Sequence, residues 1–269
     1  MLDLRNVSVV YNQGTTMQTT ALDDLSLRMA AGEFVTVVGS NGAGKSSLIG
    51  VVSGAVRPTR GRVEIAGADV TSMPDHRRAG SVARVFDNPL TGTVPELSIE
   101  DNMALALSRG RRRGLRRAVT RQRRDLMRHH LSQVGLGLES RLGVPAAALS
   151  AGQRQSLTLI MAAVRRPDIL LLDEHLAALD PHTQARVLAL TIKLINETAC
   201  AAIMVTHNME HAIKVGDRLL VMGRGKIIAD YATARKATLT VPALIDDITA
   251  KGGEVSDRSA LVTPDTDGR

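Results

Sequence analysis

Residues 2–10 (Leu-Asp-Leu-Arg-Asn-Val-Ser-Val-Val) and 22–29 alternate apolar and polar positions, with a Gly/Thr/Gln-rich piece between them. A period of two marks strands with one buried face, so this segment predicts an N-terminal antiparallel β element. Phe34–Val38 reads differently: a short, continuously apolar run ends at Gly39, passes through a Gly-rich loop and enters a helix-like stretch from Lys45 to Ser53. Strand, loop and helix in that order open an α/β core. Further strands are expected at 62–66, 81–86, 169–173, 201–206, 218–222 and 226–229, several solidly apolar as buried parallel strands are. Residues 98–166 break the alternation. They read as a helix from Ser98 to Ser108, an Arg-rich helix to about Gln133, a Gly/Pro/Ala loop and a helix from about Gln153 to Arg166. The expected fold is therefore α/β, a parallel sheet with an N-terminal antiparallel β subdomain and an inserted α-helical subdomain, forming one domain over 1–250. Residues 251–269 lose periodicity and are expected to be a flexible tail.

Composition narrows the chemistry. The 269 residues include two Tyr, two Phe and no Trp, so the core is aliphatic and aromatic platforms for single-stranded nucleic acid or sugars are not a theme. Cys200 stands alone, which excludes an internal disulfide and a cysteine-based metal framework and suits a reducing compartment. No apolar run approaches the roughly 18–20 residues that cross a bilayer, so the chain is expected neither to span a membrane nor to be secreted. The net charge of +7 is local: residues 109–128 hold ten Arg against one Asp, leaving 24 basic and 26 acidic residues elsewhere. That stretch has three readings, a solvated helix face, a surface for anionic lipid or an acidic partner loop, and a nucleic-acid contact; without interleaved aromatics the last is weak.

The segment Gly39-Ser40-Asn41-Gly42-Ala43-Gly44-Lys45-Ser46 fits G-x-x-x-x-G-K-[ST] between an apolar strand and a helix, the context a P-loop requires. Glycines let backbone N–H groups turn inward onto a polyphosphate, Lys45 reaches the outer phosphates and Ser46 is placed to ligate Mg²⁺. The core is thus expected to be a P-loop NTPase, although the loop alone does not choose among kinases, GTPases and ATPases. The second acidic element is Ile169-Leu-Leu-Leu-Asp173-Glu174, an apolar strand ending in two carboxylates. Asp173 is suited to Mg²⁺ and Glu174 to polarising an attacking water as general base.

Leu149-Ser-Ala-Gly-Gln-Arg-Gln155 stands shortly before that strand, and with it residues 1 to about 235 resemble the ATP-binding subunits of ABC transporters. The resemblance implies that Ser150, Gly152 and Gln153 form the signature motif, which faces the P-loop of a second subunit, so that two ATP are sandwiched in a dimer. It implies that Tyr11 stacks on adenine, that Ser47 follows the P-loop, that Asp180 of Ala-Leu-Asp couples the two sites and that His207 of Val-Thr-His contacts the γ-phosphate. Ala151 stands where the family more often has Gly. Val85-Phe-Asp87-Asn-Pro departs further: the family carries Gln where Asp87 stands, beside Mg²⁺ and the permease. Asp87 is shorter and anionic; either it approaches the metal and the site tolerates it, or hydrolysis is tuned down.

The implied partners are a second nucleotide-binding subunit, transmembrane permease subunits and, indirectly, an extracytoplasmic solute-binding protein, with no nucleic acid. The implied location is the cytoplasmic face of the inner membrane. Leu-Leu-Leu-Asp-Glu-His175 and Ala-Ala-Leu-Asp-Pro181 look most like an importer subgroup assigned to amino acids, tryptophan or tyrosine. A soluble ABC-type ATPase for cofactor assembly and a non-hydrolysing regulatory protein are the alternatives.

Overall fold

The computed structural model describes residues 1–110 and 118–252. β1 (Leu2–Tyr11) lies between β2 (Thr19–Met29) and β4 (Arg60–Ile65), antiparallel to both, and β5 (Ala68–Asp69) extends the edge. Its alternation slips at Arg5 and Asn6, two consecutive polar residues. There the register shifts and Asn6 takes a φ of 49°, a bulge that returns Val7 to the buried face.

The second sheet has the order β10-β9-β3-β8-β7-β6. It consists of β3 (Phe34–Val38), β6 (Val82–Val85), β7 (Ile169–Asp173), β8 (Ala201–Val205), β9 (Arg218–Gly223) and β10 (Lys226–Tyr231). All pairings are parallel except β9 with β10. Covered faces explain the unbroken apolar strands. Ile169 and Leu171 of β7, with Ala201 and Ile203 of β8, pack with the β1–β2 layer and α1 (Lys45–Ser53). Leu170, Leu172, Ala202 and Met204 point to the other face, onto α3 (Ile99–Ser108), α4 (Arg121–Ser132), α5 (Ala151–Ala163) and α6 (Pro181–Thr198). α3, α4 and α5 come between β6 and β7 in the chain, yet those strands are neighbours in the sheet.

β7 and α1 fall where the hydrophobic pattern puts them, while the helix expected at 153–166 begins at Ala151 and ends at Ala163. Its start is set by Ser150, which caps it. Of the Arg-rich stretch, residues 111–117 lie outside the described residues, as do 253–269 of the expected tail. The described arginines are partly engaged in the fold: Arg124 Nη2 donates to Glu100 Oε1 at 2.9 Å and Arg109 Nη2 to the Ala162 carbonyl at 2.7 Å. α2 (Asp75–Arg78), α7 (Met209–Lys214), α8 (Thr233–Lys236) and α9 (Val241–Ala250) are the remaining α-helices among the described residues.

Arg78 ties the P-loop helix down. It is 2% exposed and donates to the carbonyls of Val51 (2.7 Å), Val52 (3.0 Å) and Met73 (2.8 Å), and also to that of Val70. The first two belong to the open C-terminal turn of α1, whose carbonyls have no partner within the helix. Arg78→Met should strand these buried acceptors and lower stability by about 2–4 kcal/mol, seen in denaturant unfolding as a reduced midpoint with unchanged slope.

Candidate nucleotide site

Because β3, β8, β7 and β6 are parallel, the segments that follow them leave the sheet at one edge. After β3 the chain wraps into the Gly39–Gly44 loop. Gly39 has φ 156° and Gly44 φ 102°, and a Cβ would come within 2.3 Å of the Met222 carbonyl oxygen at the first and 2.5 Å of the Ala21 oxygen at the second. Only glycine fits either place. Gly42, at φ 80°, has nothing within 4 Å of a Cβ position, so the loop stays open above it. Ser40, Asn41 and Ala43 complete the wrap, with Ala43 buried and Asn41 exposed.

Lys45 opens α1, is 6% exposed and folds back so that Nζ donates to the Gly39 carbonyl at 2.6 Å and the Ser40 carbonyl at 2.8 Å. Burial pushes its pKa below the ordinary lysine value, and the nearby charges of Glu174 and Asp173 pull it back. Ser46 is exposed on the first turn. Ser47 has its Oγ 3.4 Å from the Tyr11 hydroxyl, which brings the ring at the end of β1, 40% exposed, to the loop's helix.

Asp173 closes β7. Glu174 follows at φ 48°, a left-handed conformation that is unusual outside glycine and concentrates at functional positions. Its N–H donates to the Val205 carbonyl at 3.0 Å, which fixes the turn against β8. His207 follows β8, and its Nε2 lies 2.6 Å from Glu174 Oε1. The two open onto a cavity of about 170 Å³ shared with Gln184, Thr206, Asn208 and His211. Asp87 lies just past β6 in an exposed bend and belongs to none of the ion pairs found among the described residues.

Ser150, Gly152 and Gln153 sit elsewhere. Gln153 N–H donates to Ser150 Oγ at 3.3 Å and Ser150 N–H to Gln153 Oε1 at 3.1 Å, a complete capping box at the start of α5. α5 and α1 pack on opposite faces of the sheet, so this chain does not bring the signature segment to its own P-loop. Asp180 caps α6, accepting from the Thr183 N–H at 3.1 Å; hydrogen bonding from the Thr183 side chain, and then from its N–H, holds the carboxyl below the usual range.

Sequence reasoning missed three residues. Gln155 is fully buried, and its Nε2 donates to both the Phe86 carbonyl (3.1 Å) and the His175 carbonyl (2.8 Å). One amide of the signature helix thus grips the residue before Asp87 and the residue after Glu174. Arg84 donates from Nη2 to Asp173 Oδ2 at 2.7 Å. Both are cross-element contacts that no motif spacing encodes. His175 is the third: it is 1% exposed, and burial pushes its pKa down to about 3. Its Nε2 is 3.1 Å from Thr191 Oγ1, whose proton goes to the Val187 carbonyl, so the imidazole Nε2 donates, and burial keeps the ring neutral.

The donor set fits a metal–nucleotide complex. A glycine-wrapped loop with a lysine at its base defines a P-loop nucleotide-binding protein, and the Ser46 hydroxyl and Asp173 carboxylate are hard oxygen donors of the kind a divalent metal takes.

Comparison with known proteins gives the family. The model of the family described as "ABC transporter" matches residues 22–177. A tyrosine transport ATP-binding protein of Clostridioides difficile is 37% identical over 91% of this chain and 98% of its own. An Fe(3+) ions import ATP-binding protein of Rhizobium meliloti is 37% identical over 77% of this chain, which spans 56% of that relative's length. Among solved structures, a dimeric ATP-binding cassette in a post-hydrolysis state bound to ADP and phosphate superposes with a TM-score of 0.73 at 27% identity, covering 87% of this chain and 99% of the other. The chain belongs to the ABC transporter family, as one of its ATP-hydrolysing ATP-binding subunits.

The neutral His175 has a consequence for acid stability. Unfolded, a histidine binds a proton near pH 6.5, whereas His175 in the fold does so only near 3, so the unfolded chain holds more protons in that window. Stability therefore falls as pH drops through it. His175→Gln removes this contribution. Denaturant unfolding at pH 7.5 and pH 5 should show a smaller loss in the variant than in the parent chain.

Proposed function

We propose that this chain powers the import of a solute, with amino acids the favoured class, through separate transmembrane subunits at the cytoplasmic face of the membrane. Residues 1–250 act in this reading as one nucleotide-binding domain. The class of solute follows the tyrosine transport relative, which matches along nearly its whole length. Among the described residues no helix is long and apolar enough to cross a membrane, so a permease pair would have to supply the path. A solute-binding protein would deliver to that pair.

The observation that carries the reading is the Glu174–His207 contact of 2.6 Å at the ends of adjacent parallel strands, beside Lys45. In this reading the Gly39–Gly44 backbone and Lys45 hold the β- and γ-phosphates of ATP, with Ser47 alongside, and Tyr11 covers the adenine. Ser46 and Asp173 would hold Mg²⁺, which offsets phosphate charge when bound. Asp87 follows β6, at the same edge of the sheet. Glu174 takes the proton of the attacking water, and His207, released from Glu174, donates to the γ-phosphate. Ser150, Gly152, Gln153 and Asp180 serve the site of a second copy of the chain, since in their own subunit they lie on the far face of the sheet from α1. Closure of two copies on ATP and their separation after hydrolysis drive the permease.

Glu174→Gln should retain ATP binding and slow hydrolysis by roughly 10²–10⁴-fold, the range for loss of a general base. The variant should accumulate as an ATP-bound dimer in gel filtration. A monomer with unchanged turnover would dispose of both the base and the sandwich.

A further inference from the structure

Arg84 belongs to no motif, yet it holds the carboxylate that the proposed function gives to the metal. It pairs in register with Leu171, and Asp173 is the diagonal neighbour two residues further along β7 on the same face. The Nη2–Oδ2 contact is 2.7 Å, and the two side chains are 27% and 15% exposed, so the pair is partly withdrawn from water. The guanidinium carbon lies 4.6 Å from the centroid of the Phe86 ring, which fixes the plane of the group. Its Nε is buried without a hydrogen-bond partner. Asp173 therefore has a resident cation already.

A divalent ion on Asp173 would stand against Arg84 and Lys45, three positive groups around one carboxylate, and a partly buried guanidinium left unpaired is costly. Three residues past Arg84 the chain bends at Asp87 and Asn88, and Asp87 is exposed and outside the ion pairs found among the described residues. Three extended residues span only about 10 Å. A long arginine side chain and a carboxylate on a bent loop can meet across that gap.

We propose that Arg84 is a positioning residue that exchanges carboxylates: it clamps Asp173 while the site is empty and passes to Asp87 when metal and nucleotide enter. The inference rests on the metal role given above to Asp173. It makes the aspartate at position 87 half of a matched pair rather than a damaged copy of the family's glutamine, because glutamine there offers Arg84 no charge.

The test is a double-mutant cycle on Arg84→Gln, Asp87→Gln and the combination, read by Mn²⁺ electron paramagnetic resonance on the full chain loaded with a non-hydrolysable ATP analogue. Asp87→Gln should weaken Mn²⁺ binding about tenfold, a usual size for loss of one close charge partner. Nucleotide affinity without metal should stay within about twofold. In the Arg84→Gln background the same change should have little effect. Equal loss in both backgrounds would make Asp87 a ligand in its own right, and no loss in either would leave Arg84 fixed on Asp173; both results overturn the exchange. If Arg84→Gln does not fold, as thermal unfolding would show, Arg84→Met takes its place in the cycle. Asp173→Asn tests the underlying reading separately: undiminished Mn²⁺ binding there removes the metal role itself, whatever the cycle gives.

Discussion

Parallel pairing of β3, β8, β7 and β6 is the constraint from which the site follows. Parallel strands end on the same side, so the P-loop after β3, His207 after β8, Asp173 and Glu174 at the end of β7 and Asp87 after β6 emerge along one edge. Neighbouring strands lie about 4.8 Å apart, which gathers these groups into a row of roughly 14 Å. Such a sheet persists only with both faces covered. Ile169, Leu171, Ala201 and Ile203 meet one cover and Leu170, Leu172, Ala202 and Met204 the other.

The two covers also divide the labour. α1 and the β1–β2 layer share one face; α3, α4, α5 and α6 share the other. The capped start of α5 is therefore held away from the P-loop of its own subunit. The faces are nevertheless joined through the sheet edge, because Gln155 of α5 donates to the Phe86 and His175 carbonyls. Any tilt of α5 must strain or carry both loops, since a buried amide that loses its acceptors has no water to turn to. A partner that moves α5 thereby reaches Asp87 and Glu174 without touching them.

Much of this was legible in the sequence because it depends on local order. Phe34–Val38, the Gly39–Ser46 loop and Ile169–Asp173 each declare strand, turn or buried run within a few residues, and the structure has them at those places. The helix expected from about Gln153 begins two residues earlier, at Ala151, since the Ser150 cap fixes the first turn more firmly than hydrophobic spacing does. What the sequence hid depends on pairing between distant segments. Arg84 and Asp173 are 89 positions apart and meet only because β6 and β7 are neighbours. Gln155 lies in a quoted motif, but its burial against two loops is tertiary. Short elements such as β5 and α8 carry too few residues to show a period.

The polar groups of the site already have partners inside the chain. Asp173 is paired with Arg84 and Glu174 with His207, while Lys45 is spent on the Gly39 and Ser40 carbonyls. On the proposed reading, each group that ATP would engage thus has a substitute partner inside the chain. Such a site is idle. A carboxylate 2.6 Å from an imidazole is not free to take a proton from water, and a lysine bonded to its own loop must let go to meet a phosphate. In that reading a polyphosphate offers Lys45 and His207 new acceptors, and Glu174 is thereby released next to the substrate that released it. On the proposed reading, readiness for hydrolysis is created by ATP itself, and the free chain is protected from idle chemistry by the same contacts that hold its strand ends in place.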